Sequence, residues 1–169
     1  MKKIGLLFAA FLFCFCATAQ KYDNAFGVRA GVSGGFTFRH VFNAQEIKMT
    51  ALEVIAGTGY GAYNGSALSV MYEFQREFHL TNSRHSGGIY YYAGFGGHVG
   101  HYNAFDYKMS NGLWYTQDVY TVGVDGVLGA EYVFASFPIA AGLDVHPFYN
   151  IVNASNSFFD AAIIVRIVF

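Results

Sequence analysis

The stretch Tyr120-Thr121-Val122-Gly123-Val124-Asp125-Gly126-Val127-Leu128-Gly129-Ala130-Glu131-Tyr132-Val133-Phe134 decides how the whole chain is read. Successive side chains of an extended backbone point to opposite faces, so a period of two separates two surfaces. One surface collects Tyr120, Val122, Val124, Leu128, Ala130, Tyr132 and Phe134; the other collects Thr121, Gly123, Asp125, Gly129 and Glu131. The first is apolar and aromatic at both ends. The second is small, polar and acidic.

The same alternation continues in both directions. Downstream, after a short turn at 135–138, Ile139, Ala141, Leu143, Val145, Tyr149 and Ile151 oppose Ala140, Gly142, Asp144, His146 and Asn150. Phe159, Ala161, Ile163, Val165, Ile167 and Phe169 then oppose Asp160, Ala162, Ile164, Arg166 and Val168. Upstream, period-two stretches cover 26–42, 51–60, 68–79 and 89–100, with turns expected at Asn64-Gly65 and at 81–87. No segment of this region has the 3.6-residue period of a helix. The Gly-rich run from Gly94 to Gly100 lies within a strand and precedes no helix, so it is no phosphate loop.

Alternation alone fits a soluble barrel with an apolar lumen or a membrane barrel with a polar one. The composition of the two faces separates them. The polar face carries Arg29, Arg39, Glu53, Glu73, Glu77, Asp125, Glu131, Asp144, Asp160 and Arg166 among glycines and small residues, while the apolar face has Arg76 as its exception. With 12% charged and 54% hydrophobic residues, the chain has too little charge to solvate the outside of a soluble sandwich. Aromatic residues near strand ends, such as Tyr120, Tyr132, Phe134, Tyr149 and Phe159, match the girdles of membrane barrels. The expected fold is therefore all-β, an antiparallel up-and-down transmembrane β-barrel. An open sheet edge in hydrocarbon would leave backbone groups unsatisfied, so the sheet must close.

The first residues read as a signal peptide. Lys2 and Lys3 are followed by an apolar run from Ile4 to Cys16 and by the small-x-small site Ala17-Thr18-Ala19. Residues 1–19 are expected to be cleaved, leaving a barrel domain over 20–169. That domain has no cysteine, and 8 basic against 11 acidic residues give it a formal charge of −3. There is no basic excess for nucleic acid, and no cofactor is expected. At about 19 residues per strand and connection, it has room for about eight strands. The alternation marks only seven clear stretches, so the long first one is expected to split at Ser33-Gly34-Gly35, pairing Val32 with Phe36.

In these features the chain resembles the small bacterial outer-membrane β-barrel proteins of the OmpA/OmpX type. The signal peptide, the amphipathic strands and the closing series Ile163, Val165, Ile167, Phe169 carry the resemblance. It implies an outer-membrane location, contact with outer-membrane lipid, and recognition of that last strand by the barrel-assembly machinery. Ile167 stands where an aromatic residue is more usual in the family. Nothing resembles a peptidoglycan-binding domain, so cell-wall anchoring is not implied.

Three sets of residues are candidates for function. The lumen charges Arg29, Arg39, Glu53, Glu73, Asp125, Glu131, Asp144, Asp160 and Arg166 are expected to pair, because unpaired buried charge is costly. His146 with Asp144 is the alternative catalytic pair of a lipid A deacylase-like enzyme, although no serine follows at the expected spacing. The segment 101–118, with Tyr107, Trp114 and Tyr115 around Asn111-Gly112, is expected to extend a hairpin that could recognise a surface ligand or protein, closing in a type I′ turn. No His, Asp or Glu cluster has metal-ligand spacing. The expected role is structural or adhesive, without catalysis, with the lipid-modifying enzyme and a narrow pore as alternatives.

Overall fold

The computed structural model describes residues 22–44, 48–58, 64–78, 87–108, 112, 114–152 and 157–169. The expected signal peptide and the turn at 81–86 lie outside them. Among the described residues there is no helix. Eight strands run in chain order: β1 Asn24–Gly31, β2 Gly34–Phe42, β3 Lys48–Thr58, β4 Asn64–Phe78, β5 Gly88–Lys108, β6 Trp114–Val133, β7 Ile139–Val152 and β8 Ser157–Val168. Each pairs antiparallel with its neighbour, and β8 returns to β1 to close the barrel. Reciprocal backbone bonds between Asn24 and Phe169, both 2.9 Å, complete the seam at the end that carries both termini.

The faces are those set by the alternation. Phe36, Phe95, Leu143, Phe159 and Ile163 are exposed on the wall, while Arg39, Glu73, Asp160 and Arg166 are buried inside. A chain that buries guanidinium and carboxylate groups and exposes phenylalanine is inside out relative to a water-soluble barrel. The lumen near the termini is apolar, closed by Tyr22, Val41, Met49, Tyr90, Val133 and Val168.

Two expected turns are corrected. The first stretch does split, but Val28 pairs with Phe36 and Arg29 with Gly35, so the reversal centres on Val32. The Val32 N–H stays bonded to the Ala161 carbonyl of β8 at 3.1 Å, and Ser33 turns inward onto Asp160; these contacts fix the reversal two residues earlier than glycine spacing suggested. Asn64-Gly65 is not a turn: Asn64 pairs with Asn103 and Gly65 with Tyr102, because the long β5 offers β4 a partner that far. Asn111, the first residue of the expected type I′ turn, lies outside the described residues; Gly112 takes a φ of 83°, a conformation that favours glycine.

Closure has a direct consequence. Extracted in mild detergent, the protein is expected to migrate faster in SDS before boiling than after, because a sealed ladder resists the detergent until heated. Identical mobility before and after boiling would contradict the closed seam.

Candidate functional site

The lumen holds two ion-pair clusters, stacked along the barrel axis. In the lower one Arg39 of β2 lies at the centre, fully buried. Its Nη2 is 2.7 Å from Glu53 Oε2 and 2.9 Å from Glu73 Oε2, and its Nη1 is 3.2 Å from Glu131 Oε2. Arg166 of β8 reaches the same acids from the other side, with Nη1 2.7 Å from Glu131 and Nη2 2.5 Å from Glu53. Thr37 and Tyr22 donate their hydroxyls to Glu53 and Glu131. The Arg39 guanidinium also lies 4.1 Å from the centre of the Tyr92 ring, a cation–π contact. Tyr92 in turn covers Gly129, its partner across the β5–β6 ladder.

The upper cluster is built on Arg29 of β1. It donates to Asp160 at 2.7 Å, to Asp144 at 3.0 Å and to Ser33 Oγ at 2.7 Å, bridging β1, β7 and β8. Each guanidinium therefore touches at least two carboxylates, which is what burying a permanent charge demands. Further toward the end opposite the termini, His98 is held between Asp125 (2.6 Å) and Asn150 (2.7 Å), with the Phe148 ring edge-on to it at 5.5 Å. Thus the nine lumen charges separate into two Arg-centred clusters and one His–Asp pair.

His146 and Asp144 are brought together, at 3.2 Å. Asp144 is His146's sole hydrogen-bond partner among the described residues, and the same carboxylate is engaged by Arg29. Ser33, the nearest candidate nucleophile in this cluster, bonds Arg29 and Asp160 instead. Sequence reading missed Ser33, Thr37, Tyr22, Tyr92 and Asn150 as members of the network. Ser33 and Thr37 meet partners on their own or the next strand, whereas Tyr22, Tyr92 and Asn150 meet theirs far away in sequence, where spacing carries no signal.

The second feature is the β5–β6 hairpin. Among the described residues the β4 ladder reaches to Asn64–Asn103 and the β7 ladder to Val152–Val122. Beyond these rungs, the described pairs from Phe105–Gln117 to Lys108–Trp114 join β5 to β6. Tyr107 pairs with Tyr115, so the backbone brings Tyr107, Trp114 and Tyr115 together on this β5–β6 ribbon. Ile163, Val165, Ile167 and Phe169 all lie on the outer wall.

Over 90% of this chain and 99% of the other, the barrel superposes on the N-terminal β-barrel domain of Pseudomonas aeruginosa OprF, with a TM-score of 0.57 and 14% identity. The chain has the fold of a small outer-membrane β-barrel. Neisserial surface protein A, NspA, also aligns, over 88% of this chain and 95% of that one, at 14% identity and a TM-score of 0.45. No family model and no curated protein matches the sequence. Like that fold, the barrel turns its apolar wall outward and keeps its paired charges within.

Proposed function

We propose that the protein is an integral outer-membrane barrel with a structural and adhesive role, exercised at its outer end without transport or catalysis. The observation that carries this reading is the filled lumen. An apolar plug, two interlocked ion-pair clusters and the His98–Asp125 pair occupy it in succession, as expected of an eight-stranded interior wide enough only for its own side chains. Among the described residues, what remains available is the β5–β6 ribbon beyond the described β4 and β7 rungs. In bacterial barrels the longer loops face outward and the short turns face the periplasm, so the ribbon, at the end away from the termini, faces the cell exterior.

On this reading residues 1–19 direct export, the assembly machinery reads the Ile163, Val165, Ile167, Phe169 series, and outer-membrane lipid coats the wall. The ribbon presents Tyr107, Trp114 and Tyr115 to a surface ligand or protein. The enzyme alternative is weakened because Arg29 already engages the carboxylate that His146 would need.

The test combines two readouts on one variant. Replacing Tyr107, Trp114 and Tyr115 with Ser is expected to lower attachment of cells displaying the protein to surfaces or to other cells, with the heat-dependent gel shift intact. Attachment unchanged in that variant would sink the adhesive role. Discrete conductance steps of the wild type in a planar bilayer would sink the filled-lumen argument.

A further inference from the structure

The outer wall is apolar, but near the termini end it carries two cations in register. Lys48 of β3 pairs with Arg76 of β4, and Arg76 pairs with Tyr91 of β5. All three side chains are exposed on the wall. Direct cross-strand partners stand about 5 Å apart at Cβ, and like charges in that position repel. Among the described residues neither Lys48 nor Arg76 makes an ion pair, whereas the arginines of the lumen are all paired.

Their surroundings make the repulsion more costly. Phe74 and Phe78, two residues before and after Arg76 on the same face, are 53% and 54% exposed. Cations flanked by rings on a membrane-facing wall cannot rely on bulk water alone, and cationic side chains on such walls are tolerated near the interface. An anion between the two cations turns the repulsion into two attractions. A phosphodiester has the charge and the oxygen count to accept from Lys48, Arg76 and the Tyr91 hydroxyl together, while Phe74, on the side of Arg76 toward the barrel middle, lies against its acyl chains.

We propose that Lys48, Arg76 and Tyr91 form a binding site for the phosphodiester headgroup of an anionic phospholipid in the leaflet at the termini end of the barrel. The inference rests on the outer-membrane reading, and the experiment separates the two. Full-length protein is folded into phosphatidylcholine vesicles doped with phosphatidylglycerol, extracted, and its retained lipids are weighed by native mass spectrometry. A heat-dependent gel shift on the same sample reports insertion; its absence in the wild type would overturn the membrane reading and the site with it.

With insertion established, wild type is expected to retain phosphatidylglycerol over phosphatidylcholine. The Lys48→Gln/Arg76→Gln variant is expected to lose that preference about twenty-five-fold, about fivefold per cation. Lys48→Arg, which keeps the charge, is expected to keep it. Inorganic phosphate in excess should not displace the lipid, since it lacks the acyl chains. An inserted wild type without preference, a double variant that retains it, or displacement by inorganic phosphate overturns the site.

Discussion

Arg39→Met is expected to destabilise the barrel by about 3–5 kcal/mol, the cost of removing one partner from a buried ionic group. The guanidinium lies between Glu53, Glu73 and Glu131, and Arg166 reaches only Glu53 and Glu131. Without Arg39, Glu73 loses its cation at the centre of the lumen. Methionine fills much of the vacated volume, so the loss reports charge rather than a cavity. Urea unfolding of the protein folded into vesicles measures it. Arg39→Met combined with Glu73→Gln should recover part of the deficit, because the amide needs no counter-charge. A single variant as stable as wild type would show that the cluster contributes nothing net.

The second large effect is expected at Gly129→Val. A Cβ at Gly129 would stand 2.3–2.6 Å from atoms of the Tyr92 ring, well inside contact distance. The phenol end of the ring covers the glycine while its centre lies 4.1 Å from the Arg39 guanidinium, so yielding to the new side chain disturbs that contact. Overpacking costs about 1–3 kcal/mol, and losing a desolvated cation–π contact adds about 1–2 kcal/mol. The same urea measurement should show a loss of about 2–5 kcal/mol for the single variant. Since one ring mediates both terms, Gly129→Val in a Tyr92→Leu background should cost much less than in wild type, a departure from additivity expected for residues in contact. Additive losses would mean that the ring does not transmit the strain.

Much of the architecture could be read from single residues. The alternation of Tyr120 to Phe134 places each residue it assigned on the correct face, while Val127 and Val133, apolar residues it assigned to neither, are buried inside; the charge census assigns the polar face to the lumen. Connections were harder to read. Asn64-Gly65 has the composition of a turn, yet β5 is long enough to keep it in a ladder. Ser33-Gly34-Gly35 has it as well, but bonds from the Ser33 backbone N–H and hydroxyl to Asp160, distant in sequence, set where the chain reverses. The pairing pattern inside the lumen was not legible at all. Which carboxylate meets which guanidinium depends on the stagger of strands around the barrel, and no local spacing encodes that. For the same reason the sequence named His146 and Asp144 as partners, two residues apart on one face, and missed the tie from Arg29 that occupies Asp144.

The cross-lumen bonds also bear on timing. Arg166 meets Glu53 across a sequence separation of 113, and Arg29 meets Asp160 across 131, so no single hairpin can form them. They come into being only when β8 reaches β1, and a sheet one strand short would hold several charges without partners. Such contacts are absent from early intermediates and present in the finished state, so they act mainly on the rate of opening. The lumen thus works as a latch that engages with the last strand and must release many bonds at once before the seam can part.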